Sequence, residues 1–280
     1  MSRVVRFRST ITGMKKTRLD IRMVECGLVE SRTQAQRLIM AGKVRVGGQI
    51  AQKPSDVISS ESIIEVDFAP RYVSRGGEKL EEALIQFGMM DLNQAICVDV
   101  GASTGGFTDC LLQHGAGKVY AVDVGHGILH WKLRNNTRVV VMEKTNARYL
   151  ESFPEPLHLV TVDASFISLK TLLPVIKKWL RQDGGKVITL IKPQFEAGKI
   201  DVDRGDGVIF DPVVHQRVLK DVIGFACDLG FFFKGVVRSP LKGPKGNVEF
   251  LALFATIDEG GAYSTLSIER AINPVAVEEN

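Results

Sequence analysis

A chain of 280 residues, 45% hydrophobic and 24% charged, has the length for two domains and the composition of a folded globular protein, which excludes a disordered or fibrous one. Its apolar runs, such as 95–98, 187–191 and 250–255, fall far short of the ~20 residues that a membrane-crossing helix needs. The net charge of +4 is concentrated at the front, where twelve Lys and Arg face three acids through Lys53, and this basic front predicts a polyanionic partner.

Residues 1–16 read as an N-terminal extension. Arg3, Arg6 and Arg8 stand among Ser and Thr, but no apolar stretch and cleavage site follow, and a start at Met14 explains the segment more simply than a targeting peptide does. Residues 17–69 read as a small α+β domain. Thr17 with Asp20, and Ser31 with Gln34, match the capping-box spacing and open two short helices. Ala35, Leu38 and Ile39 form the apolar stripe of the second helix, Gly42 ends it, Val44 and Val46 alternate as a strand, and Gly47-Gly48 supplies a hairpin turn. Around this unit stand Arg18, Arg22, Arg32, Arg37, Lys43 and Arg45, several of which can project to one side and suit phosphates; a merely solvated face is the alternative.

The order Arg18-Leu19-Asp20, Gly27-Leu28, Ser31-Arg32, Ala35 to Ile39 and Gly42-x-Val44-x-Val46-x-Gly48 resembles the alpha-L RNA-binding module shared by a small-subunit ribosomal protein and several RNA-modifying enzymes. The resemblance spans about fifty residues and implies recognition of structured RNA by the six basic residues. The cysteines, Cys26, Cys97, Cys110 and Cys227, show no paired spacing, so neither a zinc cluster nor a disulfide framework is signalled, and a reducing, cytoplasmic setting is expected.

Residues 70–74 read as a linker into Arg75-Gly76-Gly77-Glu78-Lys79 and an amphipathic helix marked by Leu80, Ala83, Leu84 and Phe87. Over 75–258, strand-like runs at 96–100, 119–122, 139–142, 159–162 and 187–191 alternate with helical segments, as in a doubly wound parallel sheet. Two further strands, 231–237 and 248–254, flank the Gly- and Pro-rich stretch 240–246 and look like a hairpin closing one sheet edge.

Just after the first of these strands comes Asp99-Val100-Gly101-Ala102-Ser103-Thr104-Gly105-Gly106-Phe107-Thr108-Asp109, where an α/β sheet binds nucleotide-like ligands. Ser103 stands where a dinucleotide dehydrogenase needs glycine, so that fingerprint is broken. The loop instead resembles the S-adenosylmethionine motif of class I methyltransferases. Asp99 and residues 101–107 are therefore candidate cofactor contacts, Asp123 at the end of the next strand is a candidate for ribose hydroxyls, and Asn146 after the third strand is a candidate for the adenine edge.

The fourth strand ends at Asp163 and the fifth at Lys192, beside the ligand crevice of such a sheet; each alone could also be half of a structural ion pair. Ala164-Ser165-Phe166 follows Asp163, so the proline-rich signature of amino-group methylation is absent. Lys79, Asp163, Lys192 and Glu249, in this order, resemble the catalytic tetrad of FtsJ-type RNA ribose methyltransferases. With the RNA module in front, the chain through about Ala255 resembles the TlyA family of rRNA methyltransferases, some described as hemolysins. The resemblance implies a Rossmann-like class I methyltransferase, α/β with a mostly parallel seven-stranded sheet, acting with S-adenosylmethionine on a cytidine 2′-hydroxyl of ribosomal RNA. Membrane activity, or an RNA-binding protein without catalysis, are the competing readings. In such a site Lys192 would orient and stabilise the reacting oxygen; it could act as a base only where its surroundings disfavour its charge, and Asp163 acts the other way. No metal is expected, since the five histidines, 114, 126, 130, 158 and 215, show no ligand grouping. Asp201, Asp203, Arg204 and Asp206 form a charged loop, either a lid or a solvated segment, and 259–280 reads as a polar tail.

Overall fold

The computed structural model describes residues 3–7, 16–68, 70–198, 201–202, 205–258, 260 and 265–273. The chain divides into two compact units, Met1–Arg71 and Tyr72–Asn280.

In the first unit, β1 (Arg3–Phe7), β2 (Lys16–Arg18), α1 (Leu19–Glu25), α2 (Arg32–Met40), β3 (Val44–Val46), β4 (Gln49–Ile50), β5 (Val57–Ser59) and β6 (Ile64–Phe68) follow in order. Strands β1-β6-β3-β4 make one sheet and β2-β5 a separate ribbon. Leu19, Met23, Ala35, Ile39, Val44, Ile64 and Val66 form its buried core. The Gly47-Gly48 turn adopts positive φ at both residues and closes the β3–β4 hairpin as expected. The extension is more than a leader: β1 pairs antiparallel with β6, Arg3 opposite Phe68 through Phe7 opposite Ile64. Its Val4-Val5 pair suits a strand, but arginines on either side hid the pattern. The remaining extension residues 8–15 lie outside the described residues.

Only the forward half of one capping box forms, its return bond reaching Glu30, the residue before the N-cap, and not Ser31. Ser31 Oγ accepts from the Gln34 N–H at 3.3 Å, and Gln34 Oε1 accepts from the Glu30 N–H at 3.1 Å. Thr17 instead lies in β2 opposite Ile58, and Arg18 caps α1 with backbone alone. Asp20 cannot complete that box because it is buried, accepting from Arg18 at 3.0 Å, Arg32 at 3.1 Å and Gln36 at 3.0 Å.

In the second unit, α3 (Gly76–Gln86), β7 (Ile96–Val100), α4 (Gly106–Gln113), β8 (Lys118–Val122), α5 (Trp131–Arg134), β9 (Val139–Met142), β10 (Leu159–Val162), α6 (Leu169–Trp179), β11 (Lys186–Ile191), α7 (Pro193–Glu196), α8 (Pro212–Asp228), β12 (Phe232–Arg238), β13 (Phe250–Ala255) and α9 (Thr265–Ile272) build a seven-stranded sheet of order β12-β13-β11-β10-β7-β8-β9. Strands β7 to β11 are mutually parallel, and β13 runs against both β11 and β12. The parallel strands are rich in Val, Ile and Leu, largely buried in β7, β8, β10 and β11 and half-buried in the edge strand β9. One face packs on Leu80, Leu84, Phe107 and Leu111 of α3 and α4, and the other on Leu172, Ile176, Leu219 and Val222 of α6 and α8. The tail is not purely polar: Ile268, Ala271 and Ile272 of α9 are buried in the second of these cores, while 261–264 and 274–280 lie outside the described residues. So do Asp203 and Arg204 of the charged loop.

Candidate active site

Strand β7 delivers the glycine-rich loop to the C-terminal edge of the sheet, where the backbone turns tightly and leaves no room for a Cβ at Gly101, Gly105 or Gly106. Gly101 has φ +81°, and a Cβ there would lie 2.6 Å from the Asp163 carbonyl oxygen, which β10 brings alongside. Ser103 takes φ +50° and Gly105, the N-cap of α4, φ +99°. The first N–H groups of α4 have no intrahelical acceptor and carry the positive end of the helix dipole.

Two acids brace this loop from behind. Asp99 is 1% exposed and accepts from the Thr108 N–H at 2.8 Å and its hydroxyl at 2.7 Å; burial pushes its carboxyl up to about 7 against those bonds. Asp123 accepts from the Ser103 N–H at 2.7 Å and the Gly125 N–H at 2.7 Å, which locks the turn to the end of β8. Asn146 Oδ1 accepts from the Arg148 N–H at 3.0 Å and caps the short turn Ala147–Tyr149.

The four residues of the tetrad converge on one cleft of about 690 Å³. Asp163 and Lys192 follow directly from β10 and β11, and Lys192 Nζ lies 2.6 Å from Asp163 Oδ1 while donating to Ser165 Oγ at 2.9 Å. Lys79, from the first turn of α3, donates to Glu249 Oε2 at 2.5 Å. Glu249 reaches this edge because β13 is antiparallel, with Phe250 opposite Ile191. The Glu249 side chain is fully buried, and its Oε1 has no hydrogen-bond partner among the described residues. Gly101, Ala102, Ser103, Gly106 and Phe107 line the same cleft, whereas Asp99, Thr104, Gly105, Asp123 and Asn146 stand outside its lining.

Residues 72–256 match the FtsJ-like methyltransferase family, and residues 17–64 match the S4 domain family. The 16S/23S rRNA (cytidine-2′-O)-methyltransferase TlyA of Mycobacterium tuberculosis is 44% identical over 263 residues, 92% of this chain and 97% of that protein. The chain belongs to the TlyA family. Hemolysin A of Brachyspira hyodysenteriae is 48% identical over 240 residues, 85% of this chain and 99% of that protein. A solved structure described as a hemolysin from Streptococcus thermophilus superposes with a TM-score of 0.69 at 44% identity, covering 93% of this chain and 95% of that one. Among the described residues of this TlyA-family chain, no helix is long and apolar enough to cross a membrane.

The cleft of this TlyA-family protein also contains residues that motif reasoning passed over. Arg75, Lys242 and Lys245 line it, so with Lys79 and Lys192 its cations outnumber Asp163 and Glu249. Phe166 sits beside Asp163 with φ +63°, is 91% exposed, and meets the Phe195 ring at 5.1 Å. Asn247 is buried, accepts from the Ile209 N–H at 3.0 Å and donates to the Gly207 carbonyl at 2.9 Å, which ties the 205–209 loop to the β12–β13 hairpin. Their position at the C-terminal sheet edge was the available signal.

In the S4 unit the six basic candidates divide. Arg22 is buried, paired with Glu25 at 3.3 Å and donating to the Ser60 carbonyl at 3.3 Å, so it belongs to the packing. Arg18 and Arg32 are partly committed to Asp20, with 43% and 54% of their side chains still exposed. Arg37, Lys43 and Arg45 lie at the surface, Lys43 facing Asp67 at 3.4 Å.

Proposed function

We propose that this TlyA-family protein transfers the methyl group of S-adenosylmethionine to the 2′-hydroxyl of a cytidine ribose in ribosomal RNA, in the cytoplasm. The observation that carries this reading is the convergence of Lys79, Asp163, Lys192 and Glu249 on a cleft walled by the 101–107 loop. The cofactor fits what is present: the cleft has the volume of a small-ligand site, residues of the 101–107 loop line it, and the start of α4 offers N–H groups to a carboxylate. When bound, S-adenosylmethionine supplies an electrophilic methyl group.

The protein's part is alignment and charge. An ammonium has three N–H donors, and Lys192 directs two of them at Asp163 and Ser165. The third is left for the ribose oxygen, whose developing negative charge it stabilises as the hydroxyl proton passes to water and the methyl–sulfur bond breaks. Asp163 and Ser165 hold the amine in register rather than taking part themselves. Lys79 and Glu249 form the floor and carry no net charge as a pair. Fixing the oxygen against the methyl donor supplies ~7–11 kcal/mol in well-aligned systems. Phe166, exposed at the rim, offers a face for an unstacked base. Arg37, Lys43, Arg45 and the free parts of Arg18 and Arg32 supply phosphate contacts from the S4 unit.

Incubation with tritiated S-adenosylmethionine and ribosomal subunits from a strain lacking the gene, followed by mass-spectrometric mapping, tests this. A new 2′-O-methylcytidine supports it. Leakage of lipid vesicles without methyl transfer overturns it in favour of membrane activity.

A further inference from the structure

Gln194 follows Lys192-Pro193 in α7 and lines the cleft, yet its Oε1 is buried with no hydrogen-bond partner among the described residues. A sealed amide oxygen without a donor is costly, and one on a residue that lines a cleft can gain its partner when a ligand's N–H displaces the atoms that cover it.

The sheet order says which ligand. Strand β10 lies between β11 and β7, so the end of β11 stands about 10 Å from the cofactor loop at ~4.8 Å per strand. That is the substrate side of the cleft. The neighbour in sequence, Phe195, pairs its ring with Phe166, which is almost wholly exposed, and this aromatic wall matches a nucleobase face. A base lying on that wall directs its hydrogen-bonding edge within its own ring plane, along the wall, where an amide on the same short helix can meet it.

Resting on the ribose-methylation reading, we propose that Gln194 selects the base: its Oε1 accepts a hydrogen bond from the exocyclic amine of cytosine. Uracil presents a carbonyl oxygen at the same position, and two facing acceptors repel, so the residue rewards cytidine and penalises uridine by one and the same atom.

The test compares the full chain with Gln194→Met, which keeps the length but has no acceptor, and Gln194→Glu, which keeps the acceptor. Single-turnover transfer is measured on the mapped target RNA and on the same RNA with uridine at the target. The parent is expected to prefer cytidine by roughly tenfold to a hundredfold, the range one base-edge contact commands. Gln194→Met is expected to bring the ratio near unity with unchanged calorimetric affinity for S-adenosylmethionine, while Gln194→Glu retains the preference. A ratio in Gln194→Met within about twofold of the parent's, or a parent with no preference, overturns the inference and leaves ribose methylation standing. Weakened cofactor affinity in Gln194→Met, with both RNAs slowed equally, assigns the amide to the cofactor and overturns it too. A parent that binds cofactor but methylates neither RNA defeats the underlying reading and the inference with it.

Discussion

The ammonium of Lys79 and the carboxylate of Glu249 meet at 2.5 Å although 170 positions separate them in the chain. Both are nearly sealed from solvent, at 12% and 0% exposure of the side chain. Removing one partner of such a pair leaves the other charge buried and unmatched, so Lys79→Ala is expected to lower unfolding stability by about 3–5 kcal/mol. The neutral pair Lys79→Met with Glu249→Gln should recover most of that stability without recovering methyl transfer. Urea denaturation checks the first part, and a double variant as unstable as the single one contradicts it.

Lys192→Ala is expected to slow single-turnover transfer by about a thousandfold or more, the scale of losing one donor to a developing oxyanion. Affinity for S-adenosylmethionine, read by calorimetry, should stay within about threefold, because the glycine-rich loop is braced from the other side of β10. Comparable rates in variant and parent would contradict the role given to this amine.

Gly101→Ala places a methyl group 2.6 Å from the Asp163 carbonyl at a φ of +81°. Strain of about 1–3 kcal/mol is expected, together with a displaced loop and weaker cofactor binding. Thermal melting with and without S-adenosylmethionine measures both, and a smaller ligand-induced rise in Tm than in the parent is the expected result.

Asp99 carries its own pH signature. Its carboxyl sits at about 7 when folded, so between the ordinary carboxylate range and that value the folded chain holds a proton that the unfolded chain has released. This group's contribution to stability therefore falls as pH rises through that window and levels off above it. Asp99→Asn is expected to gain on the parent at about pH 8 relative to about pH 5, and urea midpoints at the two values test the sign.

Asp20 behaves oppositely in the S4 unit. Arg18 foremost, with Gln36 and Arg32, holds its carboxyl well below the usual carboxylate range, so its stabilising effect is present at neutral pH and is lost as pH falls through and below that range. Asp20→Asn should cost about 1–3 kcal/mol at neutral pH, and the deficit should shrink in acid. Parallel denaturation curves at the two extremes would contradict it.

The catalytic sheet was legible because its strands are near-continuous apolar runs: 96–100 and 159–162 are largely buried, 139–142 is a half-buried edge strand that is still Val-Val-Val-Met, and all three have the bounds the structure shows. Strand β1 was not, since two apolar residues between arginines make a weak strand signal and a start at Met14 offered a simpler reading of the segment. Nor was the role of Asp20, whose partners Arg32 and Gln36 lie a helix away. In the site, the ends of β10 and β11 pointed to Asp163 and Lys192, and family resemblance added Lys79 and Glu249. Spacing could not show that Asp99 and Asp123 also grip backbone N–H groups of the loop and the helix after it. Phe166 and Gln194 escaped notice because a left-handed backbone and an orphaned amide are visible only in three dimensions.

The reversal of β13 also divides the labour of the cleft. Had that six-residue strand run parallel to its neighbours, Glu249 would stand about 20 Å away at the opposite rim, at ~3.4 Å per residue. As built, the tip of the hairpin brings Leu241, Lys242, Gly243 and Lys245 to the cleft independently of the glycine loop, so changes of length or charge between 240 and 246 alter this wall while leaving the bracing of the loop by Asp99 and Asp123 in place.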